Sequence, residues 1–156
     1  AKKPKLVGLL TGAVAGLATV TPAAGYVSPT SAVLIGIISG LVCYFAVALK
    51  NKLQLDDALD VWGVHGVGGL LGIILLGVFA SLEFNPKGAD GLLAGNSAFF
   101  FKQVAAVFLS SVWAFGFTYG MLWLINKFTA VHVADGEEES GLDEALLGET
   151  AYLDEG

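Results

Sequence analysis

Four long apolar stretches, separated by short polar ones, dominate the chain, at residues 6–23, 31–49, 61–82 and 98–125. The fourth is interrupted only by Lys102, Gln103 and small polar residues. About 20 helical residues cross a hydrocarbon core of about 30 Å, so each stretch can span a bilayer. The fourth is long enough to tilt or to project beyond it. None shows the alternation of a barrel strand, and open backbone in lipid is too costly to leave unpaired. The pattern therefore predicts an all-α polytopic membrane helix bundle over residues 1–128, followed by a tail over 129–156. Glycine recurs within the spans at helical spacing: Gly8, Gly12 and Gly16, then Gly36 and Gly40, then Gly68 and Gly72. Such rows let helix backbones approach closely in lipid. They predict a crowded bundle without saying which helices pair.

Charge refines this picture. Only 14% of residues are charged, against about 25% in soluble domains, and mean hydropathy is +0.73. The net charge of −6 is misleading, because nine of the fourteen acids follow Ala134, while the preceding segment has eight lysines and five acids. An even number of spans puts both termini on one side. That side collects Lys2, Lys3, Lys5, Lys50, Lys52 and Lys127, and the other collects Lys87 and Lys102. The excess of positive charge places both ends and the 50–60 loop in the cytoplasm. The 24–30 turn, with Gly25 and Pro29, and the glycine-rich 81–97 loop then face outward. The tail carries Asp135, Glu137, Glu138, Glu139, Asp143, Glu144, Glu149, Asp154 and Glu155. It reads as a solvated extension that Leu142, Leu146, Leu147 and Tyr152 could anchor on a partner.

Composition also excludes several activities. The chain has no arginine, which argues against nucleic-acid binding and bidentate phosphate capture. Its single cysteine, Cys43, lies in an apolar run and can make neither an internal disulfide nor a metal site by itself; it reads as a buried, inert thiol. Nothing at the amino end resembles a cleavable signal. The chain opens directly on a span, as a segment preceded by further helices would.

One ionisable ring stands inside the third run. His65 follows Asp56, Asp57 and Asp60, and no charge comes after it until Glu83. Groups of this kind are costly in a membrane and usually face a bundle interior or a water-accessible path. A helix starting near Asp56 puts His65 nine residues in, about 13 Å deep and near the midplane. A desolvated histidine favours its neutral form, with one donor and one acceptor nitrogen. Such a ring can take a proton from a cationic substrate or pass a polar one along. Alternatively it is a core side chain bonded to a neighbouring helix.

Metal binding fits less well. His65 has no histidine or carboxylate at i+3 or i+4, His132 lies beyond the last span, and Asp60 sits about 140° around the helix. Asp56, Asp57 and Asp60 suit a helix start, where the dipole favours acids. Thr21 precedes Pro22, whose ring frees a carbonyl and bends the first span; its hydroxyl either lines a path or bonds back to its own helix. Trp62, Trp113, Tyr119 and Trp123 read as packing or interface residues. No nucleotide loop, nucleophile–base pair or zinc spacing is visible, so neither a cofactor nor enzymatic activity is expected.

The segment Asp56-Asp57-x-x-Asp60-Val61-Trp62-Gly63-Val64-His65-Gly66-Val67-Gly68-Gly69 closely resembles the signature of the ammonium transporter (Amt/Mep/Rh) family. Residues 12–27, which include Thr21, Pro22, Gly25 and Tyr26, are similar to the family's stretch one span pair earlier. Glu137-Glu138-Glu139-Ser140-Gly141-Leu142-Asp143 and Gly148-Glu149-Thr150-Ala151-Tyr152 resemble the cytoplasmic tail of the Amt branch.

The resemblance implies a homotrimer with one pore per subunit, each subunit an eleven-helix Amt fold with an inverted repeat. This chain matches its last four helices and tail. In the family, ammonium is recruited at an outer aromatic site, passes a phenylalanine gate and meets two stacked histidines in an apolar pore. His65 matches the second histidine, and Thr21 and Val61 match positions close to the conduction path. The first histidine, the gate and the recruiting aromatics belong to earlier helices.

The implied chemistry is reasonable: a dry pore makes an intact cation expensive to carry, whereas ammonium can hand its proton to imidazoles and cross as ammonia. Potassium has no such option. The tail, matched at Gly141, Leu142 and Asp143, is implied to pack beneath the pores against a neighbouring subunit and to transmit control from PII signalling proteins. His132, Ala145 and Leu147 depart from residues common in relatives, which puts the usual tail salt links and threonine phosphorylation in doubt. Two other readings remain: an Amt-like sensor signalling through its tail, and a fragment inactive in isolation.

Overall fold

A computed structural model describes residues 6–133, 136–137 and 141–148. Among these residues every regular element is helical. The four apolar runs become four helices long and apolar enough to cross a membrane, Leu6–Ala23, Pro29–Lys52, Trp62–Phe79 and Ser97–Ile125. The first comprises α1 (Leu6–Val20) and a tight 3₁₀ turn, Thr21–Ala23, where Pro22 cannot donate to the α-helical ladder. The second is α2, Pro29–Lys52. It starts two residues earlier than expected because Ser28 caps it, its Oγ accepting from the Ser31 N–H at 3.0 Å, with Pro29 at the first helical position. The third opens with a wide π turn, Trp62–Gly66, and continues as α3, Val67–Phe79. It ends before residue 82, because Ala80 turns extended and the Ser81 N–H goes to the Tyr26 carbonyl at 2.9 Å. The fourth is α4, Ser97–Ile125.

The chain divides into two units, Ala1–Ser111 and Val112–Gly156. In the first unit the buried residues follow the helical repeat. Ala15, Thr19 and Ala23 line one side of the first span. Ile35, Ser39, Cys43, Ala46 and Lys50 do so on α2, and Val64, Gly68, Gly72 and Leu75 on the third span. These stripes meet in two apolar clusters, one around Ala15, Cys43 and Val64 and one around Ala23, Val27, Ile35 and Leu75. In sequence register between the clusters, Ser39 Oγ donates to the Ala15 carbonyl at 2.9 Å and lies 2.7 Å from Thr19 Oγ1. Ser39 has one proton and spends it on Ala15, so Thr19 is the donor of the second bond.

Glycine explains how closely the third span approaches the others, but not for every row the sequence offered. A Cβ at Gly68 would lie 2.9 Å from Thr19 Oγ1, and one at Gly72 would run into the Thr19 carbonyl. Gly63 is crowded too, though by a side chain, since a Cβ there would lie 2.7 Å from Val47 Cγ2. By contrast, a Cβ at Gly8, Gly12, Gly16, Gly36 or Gly40 would meet nothing within 4 Å. Their rows do not form the helix contacts among the described residues.

α4 touches α3 where Gln103 and Phe100 approach Gly77, and none of its residues is buried. In the second unit Trp113 stacks on Phe117, and the Lys127 ammonium lies 3.6 Å over the Trp123 ring. Its tail portion holds a wide turn at Asp143–Leu147, preceded by Gly141 at φ +96°, with Leu142, Leu146 and Leu147 exposed. Asp135, Glu138, Glu139, Glu149, Tyr152, Asp154 and Glu155, and Lys2, Lys3 and Lys5 at the other end, lie outside the described residues.

Candidate functional site

The third span begins on a polar platform. Asp57 caps it, its two carboxylate oxygens accepting the N–H groups of Val61 and Trp62, both at 2.9 Å. The Asp60 carbonyl accepts the Val64 N–H at 2.9 Å, while its carboxylate sits 2.8 Å from Lys50 Nζ. The same ammonium donates to the Asp57 carbonyl at 2.6 Å. Asp56 is exposed. All three acids therefore precede the helix, which starts at Trp62, instead of occupying its first turn. Asp57 acts by direct hydrogen bonds to the free N–H groups of the helix end. Asp60 serves a lysine instead.

His65 follows three residues into the span, within the π turn. Counting from the helix start therefore puts it only about 5 Å along its own helix, not the 13 Å expected. Its level is set by α1. One hollow of about 240 Å³ is bounded by His65, Leu59 and Val64 together with Val7, Leu10, Thr11 and Val14. A second, of about 350 Å³, is bounded by His65 with Val14, Leu17, Ala18 and Thr21. Val14 and His65 belong to both, so the ring stands where two hollows meet along α1. Val14 is eight residues beyond Leu6, about 12 Å along the first span, which makes His65 level with its middle. The imidazole is exposed within this chain and has no hydrogen-bond partner among the described residues. No neighbouring helix among the described residues bonds to it.

The remaining candidates divide. The Thr21 hydroxyl donates to the Leu17 carbonyl at 2.6 Å, and Thr21 also borders the second hollow. Its bond to its own helix thus coexists with a place beside His65. Val61 is half exposed and joins the platform through its N–H, but borders neither hollow. Gly141, Leu142 and Asp143 belong to the other unit. Cys43 is buried. No cluster of metal-binding side chains occurs among the described residues.

Sequence reasoning missed Lys50, which it counted as a surface charge. Its side chain is 7% exposed. The available signal was phase, since residues 35, 39, 43, 46 and 50 share one helix face.

Residues 1–152 match the model of the Ammonium Transporter Family. The chain belongs to this family. It is 43% identical over 154 residues to an ammonium transporter of Bacillus subtilis, a match covering 98% of this chain and 38% of the relative. It is 37% identical to the ammonium transporter MEP2 of Saccharomyces cerevisiae, over 97% of this chain and 32% of the relative. Among solved structures it resembles Saccharomyces cerevisiae Mep2, with a TM-score of 0.81 and 33% identity over 87% of this chain and 32% of that one. Candida albicans Mep2 matches with a TM-score of 0.79 and 35% identity, over 86% and 31% of the two chains. The chain spans about a third of the length of these relatives. Family membership makes the bundle part of a multi-pass membrane protein of the Amt/Mep fold, in a family of transporters and not of enzymes.

Proposed function

We propose that the protein containing this chain moves ammonium or ammonia across a membrane through an apolar pore, with His65 as the second member of a histidine pair. The observation that carries this reading is an imidazole, without a partner among the described residues, at the junction of two hollows walled largely by Val7, Leu10, Val14, Leu17 and Ala18. An apolar wall strips water from any cation that enters, and the cost falls if the cation can lose a proton. A neutral imidazole accepts at one nitrogen and donates at the other. Ammonium can use that ring and potassium cannot. Thr21 borders the path above His65, and Val61 holds the start of the turn that carries it.

The active form is a homotrimer in a lipid bilayer, with one path per subunit. Both ends of this segment face the cytoplasm, where the acidic tail around Gly141, Leu142 and Asp143 serves regulation and offers a surface to a PII-type partner. Isolated, these 156 residues conduct nothing. Among the described residues both hollows are open and α4 buries no residue, so these residues enclose no path by themselves.

The test is ammonium-driven flux in proteoliposomes containing the full-length protein. His65→Ala abolishes ammonium flux or lets potassium compete; unchanged, ammonium-selective flux refutes the reading. Saturable flux also separates a transporter from a sensor, which binds ammonium without turnover.

A further inference from the structure

Lys50 has no task in the pore described above. It ends the buried stripe of α2, and lysine is almost never buried unless paired. Both of its partners come from the segment leading into the π turn, the Asp57 carbonyl at 2.6 Å and the Asp60 carboxylate at 2.8 Å. These same two residues build the start of the third span. The Asp57 carboxylate takes the N–H groups of Val61 and Trp62, and the Asp60 carbonyl takes that of Val64. Asp60 also holds a left-handed backbone, φ +56°. Aspartate visits that conformation more readily than most residues other than glycine, and its surroundings here hold it there. The Lys50 ion pair on its side chain, and the Val64 bond on its carbonyl, supply two of those constraints.

We infer that Lys50 is a positioning residue for His65. By tying Asp57 and Asp60 to the end of α2, it sets the angle at which the π turn presents the imidazole to the hollows along α1. This rests on the pore reading of His65. Lys50 itself borders neither hollow, so it acts through the turn and not on the substrate. The seam joining α1, α2 and α3 is built from other residues, Thr19, Ser39, Gly68 and Gly72. A loosened platform therefore leaves the bundle assembled while the ring loses its aim. A displacement near 1 Å at a reacting group can lower a rate by about 100-fold.

The experiment compares full-length wild type, Lys50→Met, Lys50→Arg, Asp60→Asn and His65→Ala in proteoliposomes. It reads maximal ammonium flux per assembled protein, half-saturation, ammonium-over-potassium selectivity and the thermal midpoint. Lys50→Met is expected to lower maximal flux by about 10- to 100-fold and to weaken selectivity, with assembled protein still recovered. Lys50→Arg, which keeps the cation, recovers most of both. If Lys50→Met does not accumulate, Asp60→Asn decides by the same readouts, because Lys50 keeps its bond to the Asp57 carbonyl. Wild-type flux and selectivity per assembled protein, with only the thermal midpoint lowered, would mean a purely structural lysine and would overturn the inference. His65→Ala keeps the two failures apart. Normal selective flux in that variant removes the pore reading, whereas its loss beside normal Lys50→Met and Asp60→Asn removes only the role of Lys50.

Discussion

Ser39 and Lys50 show how much a single side chain settles in this bundle. The Ser39 hydroxyl donates to Ala15, accepts from Thr19 and lies 3.8 Å from Cys43 Sγ, and both it and Thr19 are fully buried. Ser39→Ala removes these bonds and leaves the Thr19 hydroxyl without its partner. Interhelical polar bonds in membranes contribute about 0.6 to 1.7 kcal/mol. The variant should lose about that much stability, seen as a lower thermal midpoint of the full-length protein in detergent. An unchanged midpoint would show that Thr19 finds another acceptor. His65 was legible as the residue to watch, because a lone ionisable group in an apolar run is expensive whatever surrounds it. Lys50 was not. A lysine at a helix end normally extends into water, and only the packing of the 53–61 loop over it reveals its burial.

At the scale of elements, four spans were legible because hydropathy over about 20 residues is a local property of the chain. Their ends were less so. The third span starts at Trp62, since Asp57 and Asp60 are drawn into bonds with the Val61, Trp62 and Lys50 donors that hold the preceding segment out of the helix. Asp57→Ala leaves two N–H groups without their cap and should cost about 0.5 to 2 kcal/mol. Asp57→Asn, which keeps one acceptor, should cost less; equal effects would mean the carboxylate's charge and not its geometry matters. The π turn itself has no signature in the hydrophobic pattern. The glycine rows were legible as candidates for close approach, yet only Gly68 and Gly72 were used among the described contacts. Gly72→Ala pushes a methyl into the Thr19 carbonyl, which is backbone and cannot swing away. Overpacking of this kind costs about 1 to 3 kcal/mol, so the variant should accumulate poorly, and normal yield and melting would contradict the packing.

For the whole molecule, the lysine distribution leads to a two-sided prediction. In a Cys43→Ala background, Gln54→Cys should react with an impermeant maleimide only from the cytoplasmic side, and Lys87→Cys only from the outside. The reverse pattern would invert the proposed orientation.

Composition and periodicity by themselves determined that the chain is a membrane bundle of four helices and that His65 is its anomalous residue, and the run of residues 56–69 carried the family resemblance. Each of these depends on the cost of placing a given side chain in lipid or on residues adjacent in sequence. Only the tertiary structure decided the level of His65, the burial of Lys50 and the choice among glycine rows. These depend on which helix faces another, and in a uniformly apolar segment hydrophobicity does not distinguish one face from the next.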